Sequence, residues 1–167
     1  IEPFSAPFET VKETGKHSAE VFTDKALEFI QQHMSSQGAA KPFFLYLAHI
    51  APHDPRQYPA RLRERYTADR VSLPTNFVTR HPFNNGELLI RDELLECFPR
   101  RPDSVKQHLA DYYAIITHVD EQVGRILDTL EETGQAQKTI IVFSGDNGLA
   151  VGQHGLMGKQ NLYDHSV

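Results

Sequence analysis

The stretch TIIVFSGDNGLAVGQHGLMGKQNLYDHS, residues 139–166, carries the pattern that decides the fold. It begins with a β-branched, apolar run at Thr139–Phe143, which predicts a buried strand. The run stops at an acid and an amide, Asp146 and Asn147, on a glycine turn. Because ligands in open α/β sheets bind beyond the carboxyl ends of the strands, we expect a functional site at this point.

Asp146 and Asn147 offer two oxygen donors of the kind that bind Ca²⁺ or Mg²⁺. The alternative is an ordinary turn, since Asp-Asn-Gly is turn-forming wherever it occurs. Two ligands do not complete a metal site, so at least two further acids would have to come from elsewhere. Both interpretations stay open on these residues alone.

The glycine-rich loop that follows delivers His154 and Lys159. It is not a phosphate-binding P-loop, because Gly152 and Gly158 are one residue too far apart and Gln160 replaces the required Ser or Thr. A solvated side chain is the default interpretation of the lysine. The alternative is a point-charge contact to a tetrahedral oxyanion beside a metal.

The order of a helix and then a strand occurs twice in the chain. Apolar residues at helical spacing predict a helix at His17–Met34, and the continuous apolar run Phe43–Ile50 predicts a buried strand after it. A second helix is predicted from Asp103 to about Glu132, capped at its start by Asp103 or Ser104, before the strand quoted above. These units predict an α/β fold with helices packed on a sheet.

The segment Ala51–Pro102 separates the two units and is long for a loop, which favours a substrate-side insertion. A short helix is expected within it at Ala60–Tyr66. His53 directly follows the first predicted strand, as Asp146 follows the second. A lone histidine there is usually structural, but two such strand ends could face one crevice. The candidate specificity residues of the insertion are Asp54, Arg56, Arg80 and His81.

Composition excludes several classes of function. The net charge of −5 comes without a basic stripe, which argues against general nucleic-acid binding, although a local cluster could still bind an anion. No apolar run approaches the length of a membrane span. One cysteine rules out an internal disulfide framework. The chain starts without Met or a signal-like segment and stops just after the candidate loop, so we expect a piece of a longer protein.

Three segments together resemble the sulfatase family of the alkaline-phosphatase-like superfamily. They are KPFFLYLAHIAPHDP, DYYAIITHVDEQVGRILDTLEETG and the quoted residues 139–166, in the family's order and spacing. HPFNNGELLIRDE resembles, more weakly, bacterial sulfatases acting on sulfated sugars or small sulfate esters. The resemblance implies an alkaline-phosphatase-like mixed sheet flanked by helices. It also implies that residues 1–167 are the central part of a catalytic domain, with residues 51–102 as its insertion and both ends missing.

The resemblance assigns roles residue by residue. Asp146 and Asn147 match two metal ligands, and the implied cofactor is Ca²⁺, or else Mg²⁺. Lys159 and His53 match the residues that contact the sulfate group, and His154 takes a supporting place in substrate binding. Family members are commonly exported, so a periplasmic or secreted location is expected. The implied substrate is a small-molecule or carbohydrate sulfate ester.

Cys97 lies in CFPRR, which fits C-x-P-x-R, the core of the motif whose cysteine becomes a formylglycine nucleophile. A five-residue pattern has a high false-positive rate, and we expect a semi-buried or surface thiol. The family's order confirms this view, since its nucleophile and paired aspartates lie upstream of the position of His53. The formylglycine, and the formylglycine-generating or maturase enzyme that would make it, are therefore expected to act on residues outside this chain.

Two other functions stay open. A phosphodiester or phosphonate monoester hydrolase of the same superfamily is one, since the metal and the lysine suit phosphate equally well. A non-catalytic binding protein on the same fold is the other. An upstream cysteine in the family's motif would favour the sulfatase, and an upstream Thr or Ser would favour phosphoryl transfer. We expect the 167-residue piece alone to be inactive.

Overall fold

Two long helices dominate the computed structural model, which describes residues 15–35, 41–84 and 86–166. Helix α1 spans Ser18–Ser35 and helix α2 spans Pro102–Glu132, so both predicted helices are confirmed. Short 3₁₀ helices occur at Ala60–Leu62, Glu93–Leu95, Ala136–Lys138 and Asp164–Ser166. The first of these confirms in part the short helix expected at Ala60–Tyr66.

The start of α2 differs from the prediction. Arg101 is the N-cap, without a side-chain capping bond, and Pro102 opens the helix. The expected caps, Asp103 and Ser104, therefore lie inside the first turn, and the capping prediction was wrong. Proline suits this place because its ring presets the helical φ and its missing N–H would have no partner there. Asp103 still favours the helix through the dipole at its N-terminus.

α1 and α2 pack against each other. Arg125 on α2 donates from Nη2 to Asp24 Oδ1 on α1 at 2.6 Å, and His118 Nε2 lies 3.5 Å from Glu20 Oε1. Between these polar contacts α1 buries small and branched side chains: Ala19, Val21, Thr23, Ala26 and Ile30. The packing therefore combines a close apolar contact with charge pairs at its border.

The described residues contain no β-strand, so the two predicted strands, and with them the mixed sheet, are not confirmed. Residues 43–50 nevertheless alternate between half-buried and exposed side chains, the period of an extended chain. Their predicted burial on both faces was wrong, as was that of residues 139–143, where Ile140 is 92% and Val142 84% exposed. The physical reason is that no neighbouring strand covers the outer faces within the described residues.

His49 lies on the half-buried side of the first extended segment, stacked 6.4 Å from the ring of Phe22. Both of its ring nitrogens are buried without a hydrogen-bond partner in the described part of the chain. Buried polar groups of this kind are usually hydrogen-bonded, so His49 is an exception in the described structure. Burial, followed by the charges of His118 and His17, lowers the pKa of His49.

A second core forms around the N-terminal half of α2 and positions the glycine-rich loop. It joins α2 to the insertion and to the loop through six buried apolar residues: Val71, Val105, Leu109, Ala110, Val151 and Met157. Gly155 in this loop has φ +73°, and a Cβ there would lie 2.8 Å from the backbone nitrogen of His81. Only glycine allows the loop to lie this close to the insertion.

Adjacent isoleucines on α2 test the burial that holds the fold together. Ile115 is 1% exposed and Ile116 is 40% exposed. We expect Ile115→Ala to lower the free energy of unfolding by about 2–5 kcal/mol, because it leaves a cavity in the core. Ile116→Ala, with the same change in helix propensity, should change it by less than about 1 kcal/mol. Urea denaturation measures both, and equal losses would contradict the packing described here.

Candidate active site

Asp146 and Asn147 form a compact pair of oxygen donors. Asp146 Oδ1 accepts hydrogen bonds from the backbone N–H and the side-chain amide of Asn147, at 3.0 and 3.1 Å. These bonds and the nearby charge of Lys159 lower the pKa of Asp146, so the carboxylate is ionised at neutral pH. The amide oxygen of Asn147 is buried and has no partner among the described residues.

An ionised carboxylate beside an orphaned amide oxygen fits a hard divalent cation, which prefers such ligands. The pair supplies only part of a coordination sphere. No group of three or more His, Cys, Asp and Glu residues that could hold a metal occurs in the part of the chain that the structure describes. The residues present therefore fit part of the coordination sphere of a metal ion.

Lys159 lies in the same local field as Asp146. After the hydrogen bonds that each carboxylate accepts, the charge of Lys159 adds a smaller contribution to the lowered pKa values of both Asp146 and Asp92. Lys159 is half-buried, and its backbone N–H donates to Gln160 Oε1 at 3.2 Å. The arrangement brings the predicted metal ligands and the predicted anion-binding lysine together.

His53 follows the first extended segment and is half-buried. Its Nδ1 lies 2.8 Å from the backbone carbonyl of Asp54, and its Nε2 lies 3.4 Å from Arg91 Nη2. A carbonyl only accepts and a guanidinium only donates, so Nδ1 carries the hydrogen and Nε2 accepts. These two contacts fix the tautomer and the orientation of the ring.

A chain of polar contacts connects His53 to the lysine loop. Arg91 contacts His53 and also donates from Nε to Asp92 Oδ1 at 2.8 Å. Asp92 Oδ2 accepts from Gln160 Nε2 at 2.9 Å, one residue beyond Lys159. The structure therefore connects two of the predicted site segments through a pair of residues in the insertion.

His154 contacts the insertion and the end of the described chain. Its φ is +52°, its Nε2 lies 3.0 Å from the side-chain amide of Asn76, and its ring stacks 4.0 Å from Tyr163. Its backbone carbonyl accepts from His81 Nδ1 at 2.8 Å. These contacts hold the loop in shape, and the contribution of His154 to substrate binding stays a prediction.

The candidate specificity residues of the insertion lie in different surroundings. His81 is buried against His154, and Arg80 is exposed. Asp54 lies beside His53, with Oδ1 3.3 Å from the ring nitrogen Nδ1. Arg56 Nη1 lies 2.8 Å from His108 Nδ1. The specificity roles of these four residues stay predictions.

The Cys97 thiol is exposed, as expected for a surface cysteine. Its Sγ lies 3.4 Å from Glu96 Oε1, and the arginine that matches the motif, Arg101, is the N-cap of α2. The residues of the apparent motif thus form the entry into a helix.

Sequence reasoning missed the buried charged residues that support this site. Asp92, Glu93 and Arg100 are 2%, 3% and 1% exposed. Single acids and arginines are mostly exposed in proteins, so their types argued against burial. The available signal was the occurrence of RDE and PRR within residues 91–101 of an insertion that also contains apolar clusters.

Comparison with known proteins gives one consistent picture. The sequence model described as Sulfatase matches residues 2–167. Human iduronate 2-sulfatase is 28% identical over 154 residues, which cover 85% of this chain and 28% of that protein. A Bacteroides fragilis protein assigned as the sulfatase yidJ has a TM-score of 0.72 at 25% identity, with 97% of this chain and 32% of that chain covered.

A further solved structure, the phosphonate monoester hydrolase SpPMH from Silicibacter pomeroyi, has a TM-score of 0.65 at 27% identity. The match covers 90% of this chain and 32% of that one. The chain thus spans less than a third of the length of each of these three proteins. In the described residues, no helix is both long enough and apolar enough to cross a membrane.

Proposed function

The chain belongs to the sulfatase family, and we propose that the full-length protein hydrolyses sulfate esters. The observation that carries this proposal is the Asp146 carboxylate beside the buried amide oxygen of Asn147, which has no partner among the described residues, with the charge of Lys159 helping to lower the pKa of Asp146. The first two offer oxygen to a cation, and the third offers positive charge to an anion. Transfer of a sulfuryl group needs both, because charge on its oxygens must be stabilised in the transition state.

Asp146 and Asn147 would hold Ca²⁺, or else Mg²⁺, and a bound cation supplies Lewis-acid stabilisation of the sulfate oxygens. Lys159 binds a second part of the same anion through its ammonium group. His53 contacts a sulfate oxygen near the leaving group once its Nε2 takes up a proton and releases Arg91, while Nδ1 stays bound to the carbonyl of Asp54. His154 supports the loop that carries these groups.

The proposed substrate is a sulfated sugar or a small organic sulfate. The basis is the weak resemblance of HPFNNGELLIRDE to bacterial sulfatases of that kind, together with the exposed polar residues of the insertion. The nucleophile is proposed to be a formylglycine outside these 167 residues, formed by a generating or maturase enzyme.

Hydrolysis of phosphonate monoesters or phosphodiesters is the second candidate, favoured by the structural likeness to the Silicibacter pomeroyi hydrolase. A lysine and a divalent cation stabilise a phosphoryl group by the same charges. Rates with 4-nitrophenyl sulfate and 4-nitrophenyl phenylphosphonate distinguish the two. A larger kcat/KM for the sulfate supports the first proposal, and a larger one for the phosphonate supports the second.

Removal of the Asp146 carboxylate tests the metal assignment. In the full-length protein, Asp146→Ala should abolish metal-dependent turnover and weaken Ca²⁺ binding by more than about 100-fold, since even partners of metal ligands contribute 10–100-fold. Calorimetric titration with Ca²⁺ gives the affinity independently of activity. The matched control is Asp128→Ala, which removes an exposed carboxylate from α2. Equal Ca²⁺ affinity in both variants would remove Asp146 from the metal site.

Replacement of Cys97 tests where the nucleophile lies. Cys97→Ser should leave kcat and KM of the full-length protein unchanged, because the thiol is exposed and the serine hydroxyl can keep the contact with Glu96 Oε1. Mass spectrometry of the tryptic peptide should show an unmodified cysteine. An aldehyde at this position, or loss of turnover in the variant, would show that Cys97 is the formylglycine precursor after all.

A further inference from the structure

The carboxylate of Glu93 binds the backbone just before Lys159. Its Oε2 accepts from the N–H of Met157 and its Oε1 accepts from the N–H of Gly158, each at 2.9 Å. Glu93 is 3% exposed, so these bonds are shielded from water. Two charge-assisted bonds to consecutive peptide groups fix the direction in which the chain enters Lys159.

Arg100 compensates the buried charge of Glu93. Its Nη2 lies 2.5 Å from Glu93 Oε2, its Nη1 donates to the backbone carbonyl of Glu93 at 2.8 Å, and its Nε donates to the carbonyl of Gly155 at 3.0 Å. Nη1 also donates to the carbonyl of Glu96. The guanidinium thus neutralises the acid and binds the same loop a few residues earlier.

The chain on the other side of Lys159 is held by the neighbouring acid. Asp92 Oδ2 accepts from Gln160 Nε2 at 2.9 Å. Gly158 fits tightly between the two acids, since a Cβ there would lie 3.0 Å from Asp92 Cβ and 3.1 Å from Glu93 Oε1. The backbone just before Lys159 is therefore bound to Glu93, and the side chain just after it is bound to Asp92. The ammonium of Lys159 takes part in none of these bonds.

We infer that Glu93, neutralised by Arg100, is a positioning residue that sets the place of the Lys159 ammonium for the transferring anion. The inference rests on the proposed function, in which Lys159 binds that anion. Lysine has a long and flexible side chain, so its precision depends on a fixed backbone. A small misplacement of such a group can reduce a rate by about 100-fold.

A double-mutant cycle on the full-length protein separates positioning from simple support of the fold. With 4-nitrophenyl sulfate, Glu93→Gln should lower kcat by about 10- to 100-fold, as expected for a misplaced charge. In a Lys159→Ala background the same change should lower kcat by less than about twofold, because the group that Glu93 positions is gone. If the fold-decreases in kcat of the two single variants multiply in full in the double variant, Glu93 acts on the fold alone and the inference is overturned.

Further variants keep the result decisive. Glu93→Asp retains the charge that Arg100 needs but withdraws the oxygens from the loop. It replaces Glu93→Gln in the cycle if that variant does not fold. In a Lys159→Ala background, Glu93→Asp should likewise have little further effect on kcat. Glu132→Gln is the matched control, since it removes an exposed carboxylate from the C-terminal end of α2 and should leave kcat unchanged. If Lys159→Ala alone leaves kcat unchanged, the proposed role of Lys159 fails, and the inference fails with it. If Lys159→Ala lowers kcat and the effects of the two single changes still multiply in full, the inference about Glu93 is overturned but the proposed role of Lys159 is not.

Discussion

The buried ion pair of Glu93 and Arg100 is the interaction on which the candidate site depends. Desolvating two charges costs several kcal/mol each, and their attraction offsets this only when further hydrogen bonds satisfy both groups. Here the carboxylate takes two backbone N–H groups and the guanidinium takes three backbone carbonyls. All of these bonds connect the insertion to itself or to the glycine-rich loop, so the pair fixes one segment relative to the other.

This pair explains how segments distant in sequence can share one site. The insertion supplies Arg91 and Asp92, which contact His53 on one side and Gln160 on the other. α2 provides the rigid support, because its N-terminal half packs against both the insertion and the loop. A site built on loops can be precise when the loops are bound to each other and to a helix in this way.

The sequence predicted some parts of this arrangement well, for physical reasons. Helical periodicity in α1 and α2 is a local property, and both helices were confirmed within a few residues. Strand pairing is not local: Phe43–Ile50 has the apolar run of a buried strand, yet its outer side chains are exposed in the described structure. Burial of Glu93 was equally invisible, because it depends on Arg100 and on a loop more than 60 residues away.

The two acids whose pKa values Lys159 helps to lower, Asp92 and Asp146, differ in the hydrogen bonds that they already accept. Burial opposes the ionisation of Asp92, but hydrogen bonds from Gln160 and Arg91, and the charges of Arg91 and Lys159, lower its pKa overall. The Asp92 carboxylate is thus already bound on both oxygens. Asp146 is bound only by its neighbour Asn147 among the described residues and keeps capacity for a cation. The hydrogen bonds therefore leave Asp146 rather than Asp92 as the acid that could take a further positive partner, which is what the proposed metal site requires.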